Sequence, residues 1–231
     1  MVKHGIDLFV QKSININQHP ITMKTYAKKY LGLPTLALFT LALGCHSGQK
    51  DSSAIADSAN QKQISATDSA NKAQISSSDS SQKATKSLQQ DASKFLVKSY
   101  ESGLYEIQLS ELAATNALDA DVKNLAATLV TDHKLINSKI AAIAASANFI
   151  LPEAVNTDHQ KNLQDIGKLT GADFDKKYIN TIVSGHENSV SDYKDAYKNL
   201  SAGDTKTFAG ETLPKIEDHL EMAKKVKDRI K

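Results

Sequence analysis

The sequence predicts an all-α protein in which residues 91–231 form a four-helix bundle with one crossover connection. Three observations predict this fold. Apolar side chains recur every three to four residues through residues 91–231, which is the period of an amphipathic helix. No segment there shows the polar and apolar alternation of a strand. The pattern falls into four stretches of roughly 25 residues, with one longer connection between the second and the third.

The first two helices are predicted on either side of a short turn at Leu118 and Asp119. One runs from about Asp91 to Asn116, and the next ends near Ala147. The side chains expected to face inward recur at helical spacing. They are Phe95, Ser99, Gly103, Glu106, Leu109 and Ala113 in the first helix, and Val122, Leu125, Leu129, His133, Ile136, Ile140 and Ile143 in the second.

The longer connection contains Pro152 and a short extra helix over about 158–169, after which Gly171 ends that helix. The last two helices are predicted over about 173–199 and 205–230. Their inward positions are Phe174, Tyr178, Ile182, His186, Val190, Tyr193 and Tyr197, then Phe208, Thr212, Ile216, His219, Ala223, Val226 and Ile230. One crossover between two helical pairs is the connectivity of ferritin-like folds.

Composition excludes several classes of protein. The 231 residues include one Cys, so neither an internal disulfide framework nor a zinc site of several cysteines can form. The charge is nearly balanced, with 28 Lys and Arg against 26 Asp and Glu, which argues against a nucleic-acid partner. No phosphate-binding glycine loop, nucleophile elbow or dinucleotide-binding motif occurs, so the sequence leans against an enzyme without deciding the question. An enzyme that uses an open metal site for redox or hydrolytic chemistry is the third alternative.

The N-terminal 44 residues are predicted to direct export. Residues 23–44 combine a lysine-rich start with an uncharged apolar run that is too short to span a bilayer, as in a signal peptide. The small residue Gly44 directly precedes Cys45, an arrangement that resembles a bacterial lipobox and predicts lipidation of Cys45. The alternative is an incidental cysteine after an ordinary signal peptide. Residues 1–22 precede a complete signal and are interpreted as a gene-model extension that starts upstream of Met23.

Residues 45–90 are predicted to be a low-complexity, flexible tether. They are rich in Ser, Ala, Gln, Asp and Lys and hold few large apolar side chains, so little burial offsets the entropy of ordering. A segment at 57–65 recurs at 68–76, a period of 11 residues. Such a repeat can wind a coiled coil, but Ile55, Ile64 and Ile75 make a thin apolar seam. A weakly self-associating helix is the alternative.

Each of the four long helices carries one metal-competent side chain on its inward face, near its middle. They are Glu106, His133, His186 and His219. Helices of similar length that lie side by side bring their midpoints to a similar height, so these side chains are expected to meet. Imidazole and carboxylate together suit a divalent ion such as iron, zinc, copper or manganese. Nearby acidic residues are expected as supporting hydrogen-bond acceptors, namely Asp132, Glu187, Glu217 and Asp218.

The pattern departs from a di-iron centre, which requires Glu-x-x-His on two helices. Val130 and Ile216 occupy the positions three residues before His133 and His219, so the prediction is a mononuclear site. The alternative is a buried polar network in which the histidines pair with carboxylates and tyrosines and no metal binds.

Several motifs of residues 91–231 resemble the bacterial domain of unknown function family 4142, placed in the ferritin-like superfamily. The matching positions are Glu106, the Asp132-His133 pair, His186, and the Leu213-Pro214 to His219-Leu220 run. The resemblance implies a ferritin-like bundle that is exported to the cell envelope, often as a lipoprotein. It implies no activity.

These observations together predict a cell-envelope lipoprotein, periplasmic or at the outer membrane, attached to the membrane through an N-terminal lipid. Its bundle would bind a divalent metal for sequestration, sensing or stress protection. The alternative is a structural or interaction module, without metal, that binds another envelope protein.

Overall fold

The computed structural model describes residues 51–72 and 79–230, and in these two ranges the chain is helical with no β-strand. One isolated β-bridge joins Ala117 and Gly171. The prediction of an all-α protein is confirmed. The helices are α1 (Ser52–Lys72), α2 (Asp79–Asn116), α3 (Ala120–Ser146), α4 (Thr157–Gly167), α5 (Gly171–Asn199) and α6 (Asp204–Arg229).

The ends of α3 to α6 lie within two residues of their predicted positions because local signals set them. The Asp119 carboxylate accepts hydrogen bonds from the backbone N–H groups of Asp121 and Val122 and so caps α3. The Asn156 side chain caps α4 in the same way. At the start of α5, Gly171 has a φ of 65°, a conformation that favours glycine.

The structure differs from the predicted tether. Residues 52–72 form α1, and α2 begins at Asp79, 12 residues before the predicted start. Ala56, Asn60 and Ile64 are buried at a spacing of four residues, and α1 packs against α2 along this narrow face. The Asn60 side chain also exchanges two hydrogen bonds with the backbone of Ile150. Packing against α2 and the hydrogen bonds to Ile150 therefore hold α1 in place, although α1 has no apolar core of its own.

The four long helices pack as neighbours: α2 contacts α3 and α5, and α6 contacts the same two helices. Their apolar side chains form two separate clusters. The Phe174 cluster includes Leu109, Leu129, Phe174, Ile182 and Val226, and the Phe95 cluster includes Phe95, Leu96, Ile140, Tyr193 and Ile216. In α3, α5 and α6 the predicted histidine falls between the residues of the two clusters, and in α2 Glu106 lies between Leu96 and Leu109. A polar layer thus divides the core.

Two contacts set how closely these helices approach one another. A Cβ atom at Gly103 would clash with the Asn137 side-chain amide, so glycine at position 103 makes room for this buried side chain between α2 and α3. The buried Asp175 carboxylate on α5 accepts hydrogen bonds from the backbone N–H groups of Leu118 and Asp119. This holds the turn between α2 and α3 against the start of α5.

One predicted inward position is wrong. Tyr197 is 53% exposed, and its ring lies on the surface of α6 over Gly210, because α5 is close to its end there. Among the described helices, none has both the length and the hydropathy needed to cross a bilayer. The predicted gene-model extension at 1–22, the signal peptide at 23–44 and the lipidated Cys45 lie outside the described residues.

Candidate metal centre

The structure brings together the four side chains that the sequence singled out. Glu106 on α2, His133 on α3, His186 on α5 and His219 on α6 all lie in the polar layer, with exposed fractions of 4%, 5%, 0% and 0%. The helical period sets each of them on the inward face. The three histidines also lie near the middle of their helices, whereas Glu106 lies toward the C-terminal end of the longer α2. Because polar groups are costly to bury, four of them at one level require a compensating interaction.

The three imidazole rings form a compact triangle. Their centroids are 5.6 Å apart between His133 and His186, 5.3 Å between His133 and His219, and 5.4 Å between His186 and His219. One nitrogen of each ring lies within 4.8 Å of the corresponding nitrogen of the others. A tetrahedral ion with ligands at about 2.1 Å requires ligand nitrogens roughly 3.4 Å apart, so the three side chains would have to draw together when an ion binds. The three histidines could therefore hold one metal ion.

Outer hydrogen bonds decide which nitrogen of His186 and His219 faces the centre. Nδ1 of His186 donates to the backbone carbonyl of Ile182 at 3.1 Å, so that nitrogen carries the proton. Nε2 of His219 donates to the Asp132 carboxylate at 2.9 Å. The remaining nitrogens, Nε2 of His186 and Nδ1 of His219, are therefore the ones left to face the centre of the layer. Support of this kind is common around metal-binding histidines.

Glu106 supplies the oxygen of the cluster. Its Oε2 lies 2.8 Å from Nε2 of His133 and 3.5 Å from Nε2 of His186. The contact between Oε2 of Glu106 and Nε2 of His133 is short enough for a hydrogen bond but does not have the angles of one. Of the seven buried side-chain atoms without a hydrogen-bond partner in the described chain, four belong to this cluster: Glu106 Oε2, His133 Nε2, His186 Nε2 and His219 Nδ1. One unpartnered donor or acceptor from each of four helices in one small volume is the arrangement that a shared ligand satisfies.

The electrostatics also suit a cation. Burial by itself would raise the pKa of Glu106, but the imidazoles of His186 and His133 outweigh it and lower that pKa to about 2. Burial lowers the pKa of His219 to about 4, although the Asp132 carboxylate opposes this change. At neutral pH the centre therefore contains an ionised carboxylate and a neutral His219 imidazole, which are the protonation states that metal binding requires.

Only one of the four expected supporting carboxylates reaches a site histidine. Asp132 contacts His219, and Lys215 lies 3.4 Å from the same carboxylate. The other three predictions are corrected: Glu187 pairs with Lys224 and Glu217 pairs with Lys194 on the surface, while Asp218 is exposed. An acidic residue that is adjacent to a histidine in sequence need not contact the site, because successive side chains on a helix point about 100° apart.

Glu101 and His159, which no sequence pattern connects, form a second carboxylate–imidazole pair in which Glu101 is buried and His159 is partly buried. Glu101 is 4% exposed, and its Oε1 lies 2.8 Å from Nδ1 of His159 on α4. The His159 ring stacks on Tyr105 with centroids 3.9 Å apart. No periodic signal in the sequence could place the short α4 against α2, so this pair is found only in the tertiary structure.

The comparisons with known proteins give a family but no activity. No curated protein and no solved structure matches the chain. The family model described as a domain of unknown function, DUF4142, matches residues 77–226. That match covers most of the residues from α2 to α6 and includes every residue of the polar layer. The chain therefore belongs to the family of the domain of unknown function DUF4142.

Proposed function

We propose that the polar layer binds one divalent transition-metal ion through His133, His186, His219 and Glu106. The observation that carries this proposal is the set of four buried atoms without a hydrogen-bond partner, one from each long helix. Three imidazole nitrogens and one carboxylate oxygen suit zinc, iron, copper or manganese. The ion would lie between two apolar clusters and be held by all four long helices, which suits sequestration, sensing or stress protection.

The proposed site is mononuclear. A di-iron centre needs carboxylates from all four helices, whereas this cluster holds only Glu106. Ile216 lies one turn before His219, where a second carboxylate would be needed, and it is buried as part of the Phe95 cluster.

We also propose that α2, α3, α5 and α6 are a ferritin-like four-helix bundle in which α4 is part of the crossover. The two apolar clusters support this arrangement. From N to C terminus, α2 and α6 pass from the Phe95 cluster to the Phe174 cluster, whereas α3 and α5 pass in the opposite direction. Because α3 and α5 run the same way, the chain between them must return along the molecule, as a crossover does.

The location that we propose is the bacterial cell envelope, with attachment through a lipid on Cys45. The support is the signal-like segment 23–44 and the small residue before Cys45. The test is expression of the full chain in bacteria with labelled palmitate, followed by membrane fractionation. Label on the wild type and none on Cys45→Ser is expected; an unlabelled wild type would contradict the proposal.

A second candidate function is a metal-free structural or interaction module that binds another envelope protein. Two carboxylate contacts favour it: His133 lies 2.8 Å from Glu106, and His219 lies 2.9 Å from Asp132. In this case the polar layer would set the register of the helices, as buried polar groups do in some bundles.

Elemental analysis decides between the two candidates. The full chain is produced without a histidine-rich tag in cells supplied with mixed trace metals, and its metal content is measured by plasma mass spectrometry. Near one metal per chain is expected, lost in His133→Ala and retained in His159→Ala, which removes a histidine outside the polar layer. Glu106→Gln provides a second test with little change of volume. A wild type that holds no metal even after reconstitution would refute the metal site.

A further inference from the structure

A cavity of about 390 Å³ opens between α2, α4 and α5 and extends inward to Glu106. Glu106, one of the proposed metal ligands, lines this cavity together with Ile182 and Gly185 of α5. Its other walls carry short polar side chains, among them Ser102, Asn156, Asn188 and Ser189. A solvent-connected space therefore adjoins one side of a polar layer that is otherwise enclosed by helices.

Gly185 keeps this side of the layer open. A Cβ atom at position 185 would lie 3.5 Å from Oε1 of Glu106, so any larger side chain would occupy the space directly beside the carboxylate. The next residue, His186, is a proposed ligand, and the backbone carbonyl of Ile182 orients its ring. The same turn of α5 thus carries the proposed ligand His186 and, at Gly185, leaves an open space next to the proposed ligand Glu106.

The charged groups around the cavity are paired with one another. Lys98 lies 2.7 Å from Asp192 at the outer edge, and His159 lies 2.8 Å from Glu101 on the side of α4. Glu106 faces His133 at 2.8 Å. Each of these carboxylates thus lies beside a lysine or imidazole nitrogen, while the Ser and Asn side chains on the walls offer hydrogen bonds. A small uncharged polar molecule fits this lining better than an anion or a cation does.

We propose that this cavity admits an exchangeable ligand to the metal, namely water or another uncharged hydrogen-bonding molecule of a few heavy atoms. This inference rests on the proposed metal site. Protein side chains supply four ligands, and the ligand in the cavity adds a further one on the Glu106 side. The centre is therefore open to small molecules, as catalytic metal sites are, and differs from a closed structural site.

The test is the relaxation rate of solvent water protons in the full chain loaded with Cu²⁺, the divalent ion that such sites bind most tightly. Three leucine variants are compared with the wild type. Gly185→Leu and Ser102→Leu fill the cavity from opposite walls, whereas Ser184→Leu is a matched control on the exposed face of α5. Copper per chain and helix content are measured for each.

We expect bound copper in the wild type to speed water relaxation well beyond the effect of an ion that has no water ligand. Gly185→Leu and Ser102→Leu should lower this effect several-fold while copper per chain is unchanged, and Ser184→Leu should match the wild type. Two results would overturn the inference and leave the metal site standing. One is bound copper that does not speed water relaxation in the wild type, and the other is a relaxation effect in Gly185→Leu and Ser102→Leu as large as that of the wild type. No copper binding in the wild type would refute the metal site itself.

Discussion

Replacement of the Glu106 and His133 pair by two leucines is predicted to leave the metal-free chain at least as stable as the wild type. The pair is buried, and Glu106 Oε2 and His133 Nε2 lack hydrogen-bond partners, so the polar layer is expected to cost free energy when no metal is bound. In other proteins, exchange of a buried ion pair for apolar residues is neutral or stabilising by about 1–4 kcal/mol. We expect Glu106→Leu/His133→Leu to lie in that range.

The single variant His133→Leu should behave in the opposite way. It leaves the Glu106 carboxylate buried with only the more distant His186, at 3.5 Å, to compensate its charge. Loss of one partner of a buried pair costs about 3–5 kcal/mol. The single and double variants should therefore differ by several kcal/mol, although the double variant has lost more polar groups.

The assay is urea unfolding followed by circular dichroism, in excess chelator, for the wild type and both variants. The matched control is Glu111→Ala/Lys134→Ala, which removes an exposed ion pair at 2.9 Å between the same two helices. This control should change the free energy of unfolding by no more than about 1 kcal/mol. A double leucine variant that is less stable than the wild type by more than about 2 kcal/mol would refute the reasoning, because the pair would then stabilise the fold as in the structural module.

Four further predictions concern stability. Metal at about 100 times its dissociation constant should raise the free energy of unfolding by about 2.7 kcal/mol, reversed by chelator; an unchanged urea midpoint would contradict it. The pKa of His219 is about 4 in the native state, so in chelator the unfolded state binds the proton of this residue more tightly. The free energy of unfolding should therefore fall by about 2 kcal/mol from pH 7.5 to 5. His219→Gln should remove this slope. Gly103→Ala should cost about 1–3 kcal/mol through its clash with Asn137, whereas Gly167→Ala, which has room for a Cβ, should cost less. Asp175→Ala should cost about 1–3 kcal/mol and speed amide hydrogen exchange in the turn between α2 and α3; unchanged exchange would show that this carboxylate does not hold the turn.

Local sequence signals account for most of the helix boundaries. Asp119 and Asn156 cap their helices through hydrogen bonds to backbone groups two or three residues away, so no distant contact is needed to set those ends. The helical period likewise predicted which face of each long helix is buried. The helical period failed at Tyr197, which lies two residues before the end of α5, since the period does not show how far along a helix the inward face stays covered.

Helical periodicity is a local property, so the amino-acid sequence was enough to predict that Glu106, His133, His186 and His219 lie on the inward faces of their helices. Their surroundings follow from long-range packing. The burial of α1 on α2, the pairing of Glu101 with His159 and the cavity beside Gly185 all join segments far apart in the chain. Asp132 alone among the expected carboxylates reached a histidine, since the packing of α3 against α6 sets that contact. Such contacts depend on how whole helices pack, and this packing is a property of the folded chain that no short segment encodes.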